Sequence, residues 1–290
     1  MNKTAVMTDT NSGISVSEGS ENGIFVLPMP VIVGGCDYLE GKDISHRELC
    51  AAMKEGKEIK SSQPSPASVS DMWNSILDRG YEEIVYIPMS SGLSGSCATA
   101  SVFAAEYGGK VAVADNHRIA VTLRESVYDA VHLADSGMSA AEIKAELEKN
   151  AYNSVVYLAV NTLEYFKKSG RVTAAAAAVA TVLNIKPVLV TRGEKFDTYA
   201  KIRGMKGGKE KIIEALKNEL STTFKDHDRS RIRIGTAGSF EDQAEADEWR
   251  ETVRKAFPGY GVYYDPLSCS ITCHTGMGAA GAGISVIQRG

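Results

Sequence analysis

From Thr4 to Asp115 short apolar runs alternate with amphipathic stretches, and this constrains the fold more than any other feature of the chain. The runs "TAVMTD", "FVLPMPVIV" (Phe25 to Val33), "EIVYIP" and "KVAVAD" are brief and rich in Val and Ile, as strands are. Between them lie stretches with helix-start and helix-stop chemistry. In "SHRELCAAMKEG", Ser45 and Glu48 have capping-box spacing and Gly56 supplies a stop. Behind Ser65, Pro66 sits at a first helical position, and Val69, Met72, Trp73, Ile76 and Leu77 recur at helical spacing until Gly80. "SCATASVFAAEY" reads as a helix ended by Gly108, and Ile119 to Ala134 as another. Such alternation predicts an α/β unit with a mainly parallel sheet flanked by helices.

Beyond about residue 160 the texture changes. "SVVYLAV", "NTLEYFKKSG", the alanine tract "TAAAAAVATVL" and the strand "IKPVLV" are followed by "EKFDTYAKIRG", which reads as a hairpin. A helix "KEKIIEALKNELSTTF", a strand "RIRIGTAG", a helix "QAEADEWRETVRKAF" and a strand "GVYYDPL" come next. Strands that pair before helices arrive predict an α+β domain with a mixed or antiparallel sheet. The expected division is residues 1–160 and 161–290, a chain length that suits two modest domains.

Composition removes several function classes. Apolar residues make up 43% and charged residues 23%, which excludes disorder, and a formal net charge of −4 without a basic, aromatic-interleaved run gives no nucleic-acid footprint. The most apolar stretch, Val172 to Val190, is broken by Asn184, Lys186 and Pro187, so no membrane span is expected. Five scattered cysteines and an N-terminus without a signal-peptide apolar region point to a reducing cytoplasm.

Two loops carry more hydroxyls than capping requires. "SSGLSG" (Ser90 to Gly95) lies where a strand hands over to a helix, and "KSSQPSP" precedes the helix opened by Pro66. In an open parallel sheet, ligands bind beyond the carboxyl ends of the strands, where helix N-termini offer unpaired N–H groups. Ser61 and Ser62 of one loop, with Ser91, Gly92, Ser94 and Gly95 of the other, could converge on one carboxylate or phosphate. Taken singly, either loop is explained equally well by capping serines and turn glycines.

A third segment is "CHTGMGAAG", in which His274, Thr275 and Gly276 precede glycines that let a backbone approach a ligand closely. A buried histidine held by hydrogen bonds is an equal alternative. "GMGAAG" matches G-x-G-x-x-G, but too few residues remain after it for the helix and acidic residue of a dinucleotide site. Cys269, Cys273 and His274 have neither haem-attachment nor zinc spacing, so no metal and no cofactor are expected. Neither serine loop is a G-x-S-x-G nucleophile elbow.

"VMTDTNSG", "SSQPSPA", "SSGLSG", "KKSGRV", "NIKPVL" and "CHTGMGAAG", in this order and spanning nearly the whole chain, resemble the DegV family of bacterial fatty-acid-binding proteins. The resemblance implies a two-domain protein holding one long-chain fatty acid between its domains. It also implies, for some members, a role as the non-catalytic acyl-carrying subunit of a fatty acid kinase, whose ATP-binding subunit forms the acyl phosphate. Carried over by motif, the head-group hydroxyls are Ser61 and Ser91 with Ser94 nearby, the histidine is His274, and Arg171 is the basic residue of the "GRV" motif. Arg171 and Arg203 are then expected to meet the partner or the phosphate. Three departures stand out: Ser61 stands where threonine is usual, Met277 where proline is, and "RGMKGGKEK" is richer in glycine, which weakens the docking expected of Arg203 and Lys206. The alanines from Ala174 to Ala178 are expected to pack as a core helix or to leave room for the acyl chain. An enzyme, a phosphotransferase or hydrolase acting on a small anion in the same cleft, is the alternative.

Overall fold

A computed structural model of the chain describes residues 3–178 and 185–289. In the first half, strands β1 (Thr4–Asp9), β2 (Ile24–Leu27), β3 (Pro30–Val33), β4 (Cys36–Leu39), β5 (Ile59–Ser61), β6 (Glu83–Ile87) and β7 (Val111–Val113) alternate with six helices. These are α1 (Val16–Glu21), α2 (His46–Lys54), α3 (Pro66–Asp78), α4 (Ser96–Ala104), α5 (Val121–Asp135) and α6 (Ala140–Lys149). The second half contributes β8 (Ser154–Ala159), α7 (Glu164–Ser169), α8 (Ala174–Ala177), β9 (Ile185–Thr191), β10 (Asp197–Arg203), α9 (Gly204–Ser221), β11 (Ile232–Gly238), α10 (Gln243–Ala256), β12 (Gly261–Pro266), α11 (Cys269–Thr275) and β13 (Ala280–Val286).

Strands β2-β1-β6-β7 form a four-stranded sheet, parallel throughout. The period-2 alternation of a strand sorts its residues: Ala5 and Met7 of β1 pack with Val69, Trp73 and Ile76 of α3 and with α4, whereas Val6 faces Leu123 and Val127 of α5 and Ile143 of α6. Strands β10-β9-β8-β13-β11-β12 form a six-stranded mixed sheet, parallel only at β11–β12. One face is covered by Ile212 and Leu216 of α9 and by Trp249 and Val253 of α10. Its other face presents Val156, Leu158 and Ala237 to Ile119, Ala120 and Val121 at the start of α5.

Helix α5 thus lies between the two sheets, and glycine permits its approach. A Cβ on Gly235 of β11 would fall 2.4 Å from the Val121 Cβ, and one on Gly283 of β13 would fall 3.1 Å from Thr122 Cγ2. Across the same seam Arg124 pairs with Asp265 at 3.1 Å and also with Glu18, and Tyr263 donates to the Val121 carbonyl at 2.8 Å.

Several expectations are corrected. Phe25 to Val33 is two strands in different sheets, because Pro28 interrupts the run: β2 joins the parallel sheet and β3 the small antiparallel sheet β4-β3-β5. "EKFDTYAKIRG" supplies only one hairpin strand, the other being β9, and α9 starts at Gly204 rather than Lys209. Helix α6, with a Ser139–Glu142 capping box, and the elements α11 and β13 were not anticipated. Of the alanine tract, Ala176 alone is buried among Ala174 to Ala178, and the stretch from 179 to 184 lies outside the described residues. No helix among the described residues is long and apolar enough to cross a membrane.

Candidate functional site

Ser61 ends β5, and His274 lies in the last turn of α11. They meet because the three-stranded sheet packs on α11: Val31 and Val33 of β3 share a core with Leu49 and Met53 of α2 and with Cys269 and Cys273, which lie one turn apart on one face of α11. Ser268 caps that helix by accepting from the Ile271 N–H, and Glu40 accepts from the Cys269 N–H. The Ser61 hydroxyl then stands 2.7 Å from His274 Nε2. Burial, reinforced by the Arg171 charge, lowers the His274 pKa to about 4, so the imidazole is neutral at pH 7. Among the described residues its Nδ1 is buried without a hydrogen-bond partner, so among them the pair lacks the third group that orients the base of a catalytic triad.

Arg171 reaches the site from the loop after α7, tethered by donation to the Leu93 and Ser169 carbonyls. Ser61, Arg171 and His274 together form a constriction between two spaces. Outside lies an open cleft whose walls include Lys57, Lys60 and Lys168 together with Glu58 and Glu164. Inside lies a narrow cavity lined by Ser61, Ser62, Gln63, Ser94 and Thr275, by Asn11 and Ser270, and elsewhere by Met29, Met89, Leu93, Phe166 and Ile271. Ile119, Phe196 and Ile271 also border a second, small space walled by Val121, Val156, Leu158, Leu267 and other residues without a charged or hydroxylated side chain. The sequence of spaces is polar outside, hydroxylated at the constriction and hydrocarbon within.

The expected residues divide accordingly. Ser61, Ser62, Ser94, Arg171, His274 and Thr275 line the inner cavity. Ser94 also accepts from the Ser96 N–H at the start of α4, so it caps as well as lines. Ser91 is not brought there: its side chain is exposed and its N–H donates to Asp115. Ser90 is fully buried and donates to the Gly193 carbonyl. Gly92 is required by contact, since a Cβ there would lie 2.5 Å from the Gly193 oxygen, and Gly95 faces the Gln63 side chain. Gly276 takes φ +73 and its carbonyl accepts from Ser239. Arg203 is exposed at the end of β10 and lines none of these spaces. Asn11, Phe166, Phe196, Ser270 and Ile271 line the cavity but were not singled out. Of these, Asn11 left a trace in sequence, as a polar residue two positions after Asp9, the last residue of β1.

An α/β architecture with a parallel and a mixed sheet, and an amphipathic cavity reaching inward from a serine–histidine constriction, defines the class of protein. The chain belongs to the DegV family, whose model, described as an uncharacterised protein of the DegV family, matches residues 3–287. A DegV domain-containing protein of Deinococcus radiodurans is 30% identical over 286 residues, covering 98% of this chain and 99% of its own. A solved DegV family protein from Thermus thermophilus, described for fatty acid binding, superposes with a TM-score of 0.86 at 27% identity, over 98% of this chain and 100% of its own. A stearic acid-binding protein from Eubacterium ventriosum shares the fold, with a TM-score of 0.86 at 22% identity over 99% and 98% of the two chains.

Proposed function

We propose that this protein binds one long-chain fatty acid, with the carboxylate at the Ser61–His274 constriction and the acyl chain directed inward past Phe166 and Phe196. The observation that carries the reading is the polarity gradient: hydroxyls and an imidazole at one end of the cavity, hydrocarbon alone at the other. At about 0.8 kcal/mol per buried CH₂, the chain supplies ample gross affinity, so the polar end need only orient the carboxylate. Ser62, Ser94 and Thr275 are placed to assist, and the fatty acid binding described for the Thermus relative supports the same ligand class.

The protein then acts as a carrier with no catalysis of its own, presenting the carboxylate to a separate ATP-dependent kinase subunit for acyl-phosphate formation. Lys57, Lys60, Lys168 and Arg171 outnumber Glu58 and Glu164 around the outer cleft, although Lys57 and Lys60 pair with Glu55 and Glu58, and the remaining excess of positive charge favours an anionic partner or phosphate there. The unpartnered Nδ1 of His274 weighs against a hydrolase. We place the division between an N-terminal domain and a C-terminal domain near residue 160.

Native mass spectrometry of the purified protein, before and after denaturation, tests the reading. A fatty-acid mass increment lost on denaturation is expected. Protein that purifies without lipid, and shows no calorimetric binding of hexadecanoate, would overturn it.

A further inference from the structure

One residue that lines no part of the inner cavity holds two of its walls. Glu40, directly after β4, is half-buried, and its carboxylate is turned inward: Oε1 accepts from the Cys269 N–H at 2.5 Å and Oε2 from the Thr10 hydroxyl at 2.8 Å. The Ser270 N–H bonds to the same carboxylate. Its backbone reaches the second wall, since the Glu40 N–H donates to the Met29 carbonyl while the Met29 N–H donates to the Thr10 hydroxyl. Met29, Ser270, Ile271, His274 and Thr275 all line the cavity.

A helix leaves its first four N–H groups without partners of its own. In α11 those of Ile271 and Thr272 turn back to Ser268, and those of Cys269 and Ser270 go to a residue 229 positions from Cys269. At seven residues α11 is only two turns long, so it shifts as one piece. A displacement at Cys269 is carried to His274, about 7.5 Å along the axis.

The charge of Glu40 is kept at a cost. Burial, with the Asp9 carboxylate adding to it, raises the Glu40 pKa to about 7. A glutamine of the same shape would remove the charge, but it offers one acceptor oxygen where two now accept, and its amide nitrogen would oppose a donor. Strongly shifted groups of this kind concentrate at functional sites.

Resting on the fatty-acid reading above, we propose that Glu40 is a positioning residue for the lipid carboxylate: it docks the first turn of α11 against the segments carrying Thr10 and Met29, and so fixes where His274 meets the ligand. Glu40 itself touches no ligand.

The test compares the parent with Glu40→Gln at pH 8, by calorimetry of delipidated full-length protein with hexadecanoate and by urea denaturation. Glu40→Gln should bind about three- to tenfold more weakly, the range of one net hydrogen bond, although its urea midpoint is no lower than the parent's. In a His274→Ala background the same change should cost no further affinity. Parent-like affinity in Glu40→Gln overturns the inference. A loss matched by a lower midpoint, or an equal further loss without His274, overturns it too, because Glu40 would then act on the fold at large. If the variant does not fold, the Glu40 carboxyl carbon resonance of the parent decides: it should move when hexadecanoate loads, and an unmoved resonance counts against the inference. A parent that binds no hexadecanoate would instead sink the fatty-acid reading itself.

Discussion

Ser61 and His274 stand 213 positions apart in sequence and 2.7 Å apart in space, joined through a neutral imidazole. A hydrogen bond to a charged partner contributes about 1.5–3 kcal/mol, so Ser61→Ala and His274→Ala should each weaken fatty-acid binding by about that amount. His274→Gln, which keeps a donor, should lose less than His274→Ala. Ser91→Ala should change nothing, because that side chain is exposed and away from the cavity. Calorimetry on delipidated proteins compares all four, and a Ser91→Ala loss equal to that of Ser61→Ala would contradict the assignment.

Stability should carry two opposed pH dependences near this site. The His274 pKa falls from 6.5 to about 4 on folding, mainly by burial, so its contribution is present above pH 6.5 and lost as pH drops toward 4. Burial raises Glu40 from 4.5 to about 7, so stability is lost as pH rises through that window. Each is worth roughly 3 kcal/mol at full extent. Urea denaturation at pH 4.5 and 8 should therefore show Glu40→Gln gaining on the parent at the higher pH and His274→Gln gaining at the lower.

Gly235→Ala should disturb the seam between the sheets. The added methyl would collide with Val121, whose side chain also borders the deep end of the cavity. Overpacking of this kind costs about 1–3 kcal/mol, and displacement of α5 should lower lipid affinity together with the denaturation midpoint. A variant with parent-like affinity and stability would show that α5 has slack against the sheet.

Arg124 holds two carboxylates, Glu18 from its own half and Asp265 from the other. Burial pushes Asp265 up to about 7 despite that guanidinium. Removing the cation in Arg124→Leu should cost about 3 kcal/mol at pH 8, where the Asp265 charge is left uncompensated, and less at pH 5, where the carboxyl is protonated. Arg124→Leu combined with Asp265→Asn should lose less than the two single changes summed. Strict additivity in urea denaturation would mean that the pair is not coupled.

The parallel sheet and its helices were legible because their signals are local: the Ser45–Glu48 box, Pro66 behind Ser65, and the Val69–Trp73–Ile76 stripe all act within one or two turns. Strand β13 was not, since "AGAGISV" reads as a flexible glycine segment until the neighbours that demand glycine are known, namely Thr122 against Gly283 and the Leu158 side chain against Gly281. The serine loops are where Ser61 and Ser94 come to line the cavity. Choosing Ser94 over Ser91 needed the direction in which the turn after β6 points each side chain, and hydroxyl content does not encode that. Asn11 left only a faint trace, because the serines that occupy its oxygen, Ser268 and Ser270, lie 257 and 259 positions away in sequence.

Strand β13 comes after the other strands in chain order yet sits between β8 and β11. A ribosome delivers the chain from its N-terminus at about 5–20 residues per second, so β8, β9 and β10 emerge as one ribbon and β11 and β12 as another, each with an unpaired edge. Residues 280–286 close both edges at once, shortly after His274 has emerged. The wall that β8 and β11 give to the deep end of the cavity is therefore completed only when residues 280–286 pair with both.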